Sequence, residues 1–146
     1  MMRQLPDVNV LLALLWPRLE SHAAAHAWFA QSGSRGWATN PLTQLGTLRL
    51  LTNPAITHGA LTSSAALHIL AQLTSHKGHE FWPLDGDFSA VLASFAAKLK
   101  GHQQWTDAAL LWHARRRGGV LVTFDAGMKQ LATGECANHL RVLRVQ

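Results

Sequence analysis

The stretch Gly118-Gly119-Val120-Leu121-Val122-Thr123-Phe124-Asp125 carries the clearest structural signal in the chain. Two glycines stop whatever precedes them, an unbroken run of apolar and β-branched residues follows, and an aspartate stands at its end. Such a run suits a strand buried on both faces, the condition of a strand inside a parallel sheet. Reading backwards, Thr106-Asp107 opens a helix through Ala108, Leu110, Leu111 and Ala114 to Arg117. At the other end of the chain, Leu5 to Asp7 reads as the tail of a short strand stopped by Pro6 and Asp7. Val8 to Leu15 follows as an apolar helix, ended by Trp16-Pro17 because proline lacks an N–H and its ring opposes continuation.

The same alternation fills the middle. Ser21 reads as an N-cap for a helix from Ala23 to Gln31, and Gly36 to Thr39 as a buried strand. Pro41 suits the first turn of a helix whose Leu42, Leu45, Leu48 and Leu51 recur at helical spacing, with Asn53-Pro54 as its end. Ser63 or Ser64 begins another, running to about Ser75, with Ala66, Leu67, Leu70 and Leu73 on its apolar face. His79 to Leu84 reads as a strand, Asp87 as the cap of a helix from Phe88 to Leu99, and Arg141 to Val145 as a terminal edge strand. Strands alternating with helices predict an α/β fold: a mostly parallel sheet with helices on both faces, in one domain spanning residues 1–146. In such sheets ligands gather beyond the carboxyl ends of the strands.

Composition fits a folded domain. Hydrophobic residues make up 48% of the 146 positions and charged residues 14%, which excludes a disordered polyelectrolyte. The one cysteine, Cys136, cannot form an internal disulfide and suits a reducing compartment. Near the N-terminus, Arg3, the apolar stretch Val10 to Trp16 and Ala23-Ala24-Ala25 faintly imitate a secretory signal. Asp7 and Asn9 interrupt it, and Arg18 and Glu20 sit where a cleavage site is small and neutral. No run approaches the roughly 20 apolar residues that span a bilayer, so a soluble, cytoplasmic protein is expected. Thirteen Lys and Arg against eight Asp and Glu leave a net charge of +5, which favours polyanionic partners.

That scarcity of acids makes their placement informative. Asp7 and Asp125 each end a strand, and Asp107 lies in the first turn of a helix. If the two strands are parallel neighbours, all three can face one crevice. Carboxylates crowded together repel, and a divalent cation with oxygen ligands relieves them. Each aspartate also has a local reading: Asp7 as a helix cap, Asp107 at the positive end of its helix, Asp125 as the start of a turn.

Four segments, in order, resemble the motifs of a known family. Leu5-Pro6-Asp7-Val8-Asn9-Val10-Leu11-Leu12-Ala13-Leu14 resembles the opening motif of PIN-domain ribonucleases, especially the VapC toxins of bacterial toxin–antitoxin pairs. Pro41-Leu42-Thr43-Gln44-Leu45-Gly46-Thr47-Leu48-Arg49 and onward to Pro54 is similar to their second motif. Gly101-His102 through Thr106-Asp107-Ala108-Ala109-Leu110-Leu111 resembles the third, and Leu121 to Asp125 the fourth. The resemblance implies a PIN-like three-layer sandwich and an endoribonuclease dependent on Mg2+ or Mn2+. It implies Asp7, Asp107 and Asp125 as the metal-binding acids, with Asn9 and Thr123 as supporting polar neighbours. It further implies a homodimer and a VapB-type antitoxin whose C-terminal segment covers the active site.

One position departs from the pattern. Where these proteins usually carry glutamate, this chain has Gln44, nearly the same shape but without the charge. On the resemblance Gln44 belongs to the catalytic set, and its neutrality implies weaker metal binding and attenuated cleavage. Two origins stay open, a natural variant of altered activity or an engineered, near-isosteric substitution that tempers a toxic nuclease, and the near-isosteric shape favours the second. Two other functions are weighed against the nuclease. One is a catalytically weak RNA- or protein-binding module on the same scaffold. The other is a phosphatase-like hydrolase with Asp7 as nucleophile, for which position 9 would be a second acid rather than Asn9.

RNA contacts are expected from Arg49, from the cluster Arg115-Arg116-Arg117, and from Trp105, two residues before Asp107 and placed to flank a base. The arginine cluster lies about ten residues along its helix from Asp107, roughly 15 Å away, so it is peripheral to the chemistry. Lys98 and Lys100 are similar candidates. His22 and His26 share a helix face but lack further ligands at zinc spacing, and Asp85-Gly86-Asp87 reads as a turn and cap rather than a calcium loop.

Overall fold

In the computed structural model of the chain, which describes residues 2–32 and 35–145, one sheet holds five strands. These are β1 (Gln4–Pro6), β2 (Trp37–Thr39), β3 (His79–Phe81), β4 (Val120–Thr123) and β5 (Leu140–Val142). They run in the order β3-β2-β1-β4-β5, and every neighbouring pair is parallel. Parallel neighbours need crossovers, and helices supply them: α1 (Val8–Leu15), α2 (His22–Gln31), α3 (Pro41–Leu51), α4 (Pro54–Thr57), α5 (Ser63–Thr74), α6 (Phe88–Val91) and α7 (Gln104–Arg116).

The alternation of side chains across the pleat builds three layers. In β4, Leu121 packs with Ala108, Leu110 and Leu111 of α7, while Val122 packs on the other face with Val10, Ala13 and Trp28 of α1 and α2. Helix α1 touches the sheet, α2 and α3, so Val10, Leu11, Leu12, Ala13 and Leu14 are all buried and the helix is apolar all round. The α/β sandwich with a parallel sheet is thus the fold expected from the sequence, and β5 is an edge as anticipated. No helix among the described residues is long and apolar enough to cross a membrane.

Several local expectations are corrected. In α3 the fully buried positions are Thr43, Thr47 and Leu51, spaced by four, while Leu45 is 59% exposed. A period of three drifts around a helix of 3.6 residues per turn, so the leucine series does not define one face. Leu67 of α5 is likewise exposed, and that helix is capped by Thr62, whose hydroxyl accepts from Ala65 N–H, not by Ser63 or Ser64. Ser21 stands at the start of α2 without a side-chain cap bond, and the helix begins at His22. The segment expected as one helix from Phe88 to Leu99 is α6 followed by 3-10 turns over Ala93–Lys98, and α7 begins two residues before Thr106. β3 stops at Phe81, β4 at Thr123, and β5 spans Leu140–Val142 rather than Arg141 to Val145.

Candidate active site

Adjacency of β1 and β4 decides the site. Pro6 pairs with Val122, and Asp7 N–H donates to the Val122 carbonyl at 2.8 Å, so Asp7 and Thr123 leave the sheet side by side. Asp7 then caps α1, its Oδ1 accepting from Val8 N–H at 2.7 Å. The Thr123 hydroxyl donates to Asp7 Oδ2 at 2.8 Å and accepts from Asn9 Nδ2 and from Asp125 N–H, each at 3.1 Å. One proton given and two received saturates a hydroxyl, so its orientation is set. Asn9 Oδ1 accepts from Phe124 N–H at 3.3 Å, which fixes that amide too. Thr123, 116 positions from Asp7, therefore ties the acid of β1 to the strand that delivers Asp125.

The third acid comes from α7. Asp107 is partly buried in its first turn, and its carboxyl is pushed up to about 6, chiefly by burial and then by the charges of Asp7 and Asp125. Asp7, buried, is also raised, because desolvation outweighs the hydrogen bonds from Thr123 and Val8, with the Asp125 charge adding to it. The three acids are thus held within electrostatic reach of one another. Among the described residues, no group of three or more His, Cys, Asp or Glu is closed around a common point as a formed metal site. Both Asp7 oxygens accept hydrogen bonds, and Asp125 Oδ1 accepts from Gly127 N–H at 2.8 Å, each oxygen keeping a lone pair for a ligand. The donor set still fits a hard divalent cation, being all oxygen and destabilised by its own like charge.

Gln44, from the first turn of α3, is bonded to the end of β2. Its Nε2 donates to Thr39 Oγ1 at 2.9 Å, and that hydroxyl contacts His79 Nε2 at 2.7 Å; no hydrogen bond joins Gln44 to the three aspartates among the described residues. An amide nitrogen only donates, so the Thr39 proton is free for His79 Nε2 in the tautomer that leaves that nitrogen unprotonated. Burial keeps the His79 imidazole below its ordinary value, with the Arg3 charge acting the same way. In Gln44→Glu this order fails: the new carboxylate also needs the single Thr39 proton. The His79 pKa, followed by NMR titration of the imidazole, should rise in Gln44→Glu, and that rise should vanish when Thr39 is also replaced by Val. An unchanged His79 titration in Gln44→Glu would sink this account of the chain.

Beside this chain lies a buried pair that the sequence reading missed. Asn40, 0% exposed, caps α3 through Oδ1 to Thr43 N–H at 2.9 Å, and its Nδ2 meets Nδ1 of His113, also 0% exposed, at 2.8 Å. Asn40-Pro41-Leu42-Thr43 does carry a capping signal, an N-cap, a proline at the first helical position and a threonine that returns a bond to the Asn40 N–H. Nothing local points to His113 on α7. The imidazole is kept below its ordinary value by burial and then by Arg117, and its Nε2 makes no hydrogen bond; the Pro83 carbonyl on that side accepts from Arg117 Nη2 at 3.1 Å.

The cations expected to meet phosphate divide into two groups. Arg115 pairs with Glu135 at 2.6 Å, Arg116 with Asp85 at 3.0 Å and over Trp112, and Arg117 with Pro83 and over Trp82. Lys98 donates to Thr133 Oγ1 at 2.7 Å. Arg49 has no hydrogen bond or ion pair from its guanidinium among the described residues and lines a groove with Val8 and Gly46. Trp105 is 47% exposed and lines an apolar pocket with Leu42, Phe88 and Leu92, whereas Trp28, Trp37, Trp82 and Trp112 are core residues.

The sequence matches the PIN domain family over residues 5–134. It is 42% identical over 132 residues to Ribonuclease VapC39 of Mycobacterium tuberculosis, covering 90% of this chain and 95% of that protein. Ribonuclease VapC38 of the same species is 44% identical over 126 residues, 86% of this chain and 87% of that one. Among solved structures, Mycobacterium tuberculosis VapC20, described as a Sarcin-Ricin loop cleaving toxin, superposes with a TM-score of 0.68 at 14% identity, covering 96% of this chain and 98% of that chain. The DNA-bound VapBC of Salmonella typhimurium gives 0.58 at 16% identity, with 97% of each chain covered. These two likenesses speak to the fold.

Proposed function

This chain belongs to the PIN-domain family, with VapC ribonucleases as its relatives, and we propose that it is the endoribonuclease toxin of a type II toxin–antitoxin pair. The observation that carries the reading is the pairing of β1 with β4, which bonds Thr123 to both Asp7 and the Asp125 N–H at the carboxyl end of a parallel sheet, in a chain whose relatives are ribonucleases. Asp7, Asp107 and Asp125 are the residues that would hold the divalent ion, Mg2+ or Mn2+. Bound there, the ion supplies Lewis-acid stabilisation of phosphate charge and a water of lowered pKa.

The chain's own residues do the positioning. Thr123 holds Asp7 by its donated proton, Asn9 and the Asp125 N–H hold Thr123, and the strand pairing brings all of them to one edge of the crevice. Trp105, half-exposed at the start of the helix that carries Asp107, flanks an RNA base in this reading. Arg115, Arg116 and Arg117, each already engaged within the chain, contribute only peripheral phosphate contacts. A VapB-type antitoxin, a homodimer and a cytoplasmic location complete the proposal, with residues 1–146 acting as one PIN domain. A basic chain of net charge +5 suits both RNA and an acidic antitoxin segment.

Incubation of the protein with structured RNAs, with and without Mn2+, tests the reading. Cleavage that needs the metal is the expected result; RNA binding without metal-dependent cleavage would instead identify a catalytically weak binding module. Within that assay, Thr123→Val should lower cleavage about 10–100-fold, the usual effect of removing a group that orients a metal ligand, and Thr123→Ser should restore it. Full activity in Thr123→Val would remove the hydroxyl from the mechanism.

A further inference from the structure

We propose that the groove lined by Val8, Gly46, Arg49, Thr52 and Asn53 is a subsite for an RNA phosphate adjacent to the one that is cleaved; this rests on the ribonuclease reading above. The groove encloses about 480 Å3 between α1 and the C-terminal half of α3. Its floor is a close helix crossing: a Cβ on Gly46 would lie 2.6 Å from Val8 Cγ2, so glycine is what lets the two helices meet there. Val8 is the residue after Asp7, and its N–H is bonded to Asp7 Oδ1 at 2.7 Å. The groove therefore starts at the first residue of α1, one position along the chain from the first acid.

Its free donors come from Arg49 and Asn53. Arg49 is exposed, with its guanidinium uncommitted among the described residues, and no acid lines the groove. Asn53 Oδ1 is occupied by Ala55 N–H at 3.0 Å, which leaves its NH2 group for a ligand. Thr52 Oγ1 already donates to the Leu48 carbonyl at 2.8 Å. A guanidinium and an amide NH2, with no carboxylate beside them, match a phosphodiester in charge and hydrogen bonding. Of the other basic side chains first considered for this role, Arg115, Arg116, Arg117 and Lys98 are held by partners within the chain, and Lys100 lies in the loop before α7, outside this groove. An RNA strand whose reacting phosphate lies at Asp7 has to continue along the surface on either side of it. The Arg49 groove offers a cationic path for one of those directions.

The test uses a single-stranded oligoribonucleotide that the wild-type protein cleaves, made in versions with one neutral methylphosphonate at each linkage in turn. Wild type, Arg49→Ala and Arg49→Lys are compared in single-turnover cleavage and in binding against salt. One linkage beside the cleaved one should be sensitive in the wild type and insensitive in Arg49→Ala, with Arg49→Lys between them. The slope of log affinity against log salt should fall by about 0.7 in Arg49→Ala, the share of one phosphate contact on a single strand. Equal sensitivity of both proteins at every linkage would overturn the proposal, as would an unchanged salt slope. Normal RNA cleavage by Arg49→Ala combined with lost antitoxin binding would assign the groove to a protein partner instead. Failure of the wild type to cleave any RNA is a separate outcome, and it removes the ribonuclease reading itself along with the subsite.

Discussion

Asp107→Asn is expected to abolish RNA cleavage while making the metal-free protein more stable above pH 6. Removing one of three carboxylates from a divalent site should lower cleavage at least about 100-fold, since even groups behind the ligands are worth 10–100-fold. The stability effect follows from proton linkage. Asp107 has a folded-state pKa of about 6 against an ordinary 3.8, so the folded protein holds that proton longer than the unfolded chain does. The stability this contributes is fully present below the ordinary value and is lost as pH rises through about 6; Asp7, also raised, acts with the same sign. Above pH 6 the metal-free wild type carries the repulsion and the asparagine variant does not.

A divalent cation should reverse the ranking. At a hundredfold excess over its Kd, a ligand that binds only the folded state stabilises it by about 2.7 kcal/mol, roughly 5–10 °C in Tm for a chain of this size. Mn2+ should therefore raise the wild-type Tm above pH 6, do little at pH 4, and do little to Asp107→Asn at any pH. His79 and His113 act with the opposite sign: their folded pKa values are depressed, so the stability they contribute is present above the ordinary value and is lost as pH falls through the depressed ones. Taking the difference between wild type and Asp107→Asn cancels them. Thermal melts from pH 4 to 8, with and without Mn2+, provide the measurement. Equal Mn2+ shifts in the two proteins would show that Asp107 is not a ligand.

Asn40→Ala should produce a large loss of fold stability for a polar residue outside the three acids. The substitution removes the cap of α3, about 1 kcal/mol, and strips the donor from buried His113 Nδ1, which costs about 1–3 kcal/mol more. A total of about 2–4 kcal/mol corresponds to a Tm roughly 5–15 °C lower. Asn40→Asp separates the two contributions. It keeps the oxygen that accepts from Thr43 N–H but cannot donate to His113, so the imidazole must bring its own proton. Its stability should lie between wild type and Asn40→Ala, and the His113 titration should move upward. If Asn40→Asp matches the wild type at pH 8, the Asn40–His113 contact contributes nothing measurable and the cap is the whole effect.

That contact also bears on the active site, because His113 lies six residues along α7 from Asp107. The sheet does not hold α7 by backbone hydrogen bonds. Its apolar face packs on the sheet, and side chains add polar contacts at its C-terminal end, Asn40 to His113 in the last turn and Arg115, Arg116 and Arg117 to Glu135, Asp85 and Pro83. The arginine cluster, which by composition alone suits phosphate, is in this fold a set of clamps on the helix that carries the third acid.

Much of this protein was legible in the sequence. Unbroken apolar runs such as Val120-Leu121-Val122, the proline and glycine stops, and aspartates at strand ends depend on a few consecutive residues, and short-range sterics and burial decide them. From them came the α/β sandwich, the three acids and the family resemblance. The tertiary structure decided the rest, because partners across more than a turn or a pleat are chosen by packing and not by local pattern. Only the adjacency of β1 and β4 puts Thr123 on Asp7, and only the folded chain shows Gln44 bonded to Thr39, Asn40 to His113, and Arg49 without a partner among the described residues. The buried face of α3 likewise went to Thr43 and Thr47 over a more hydrophobic leucine series. Their hydroxyls are satisfied within their own helix turn, so burying them leaves no unmet polar group.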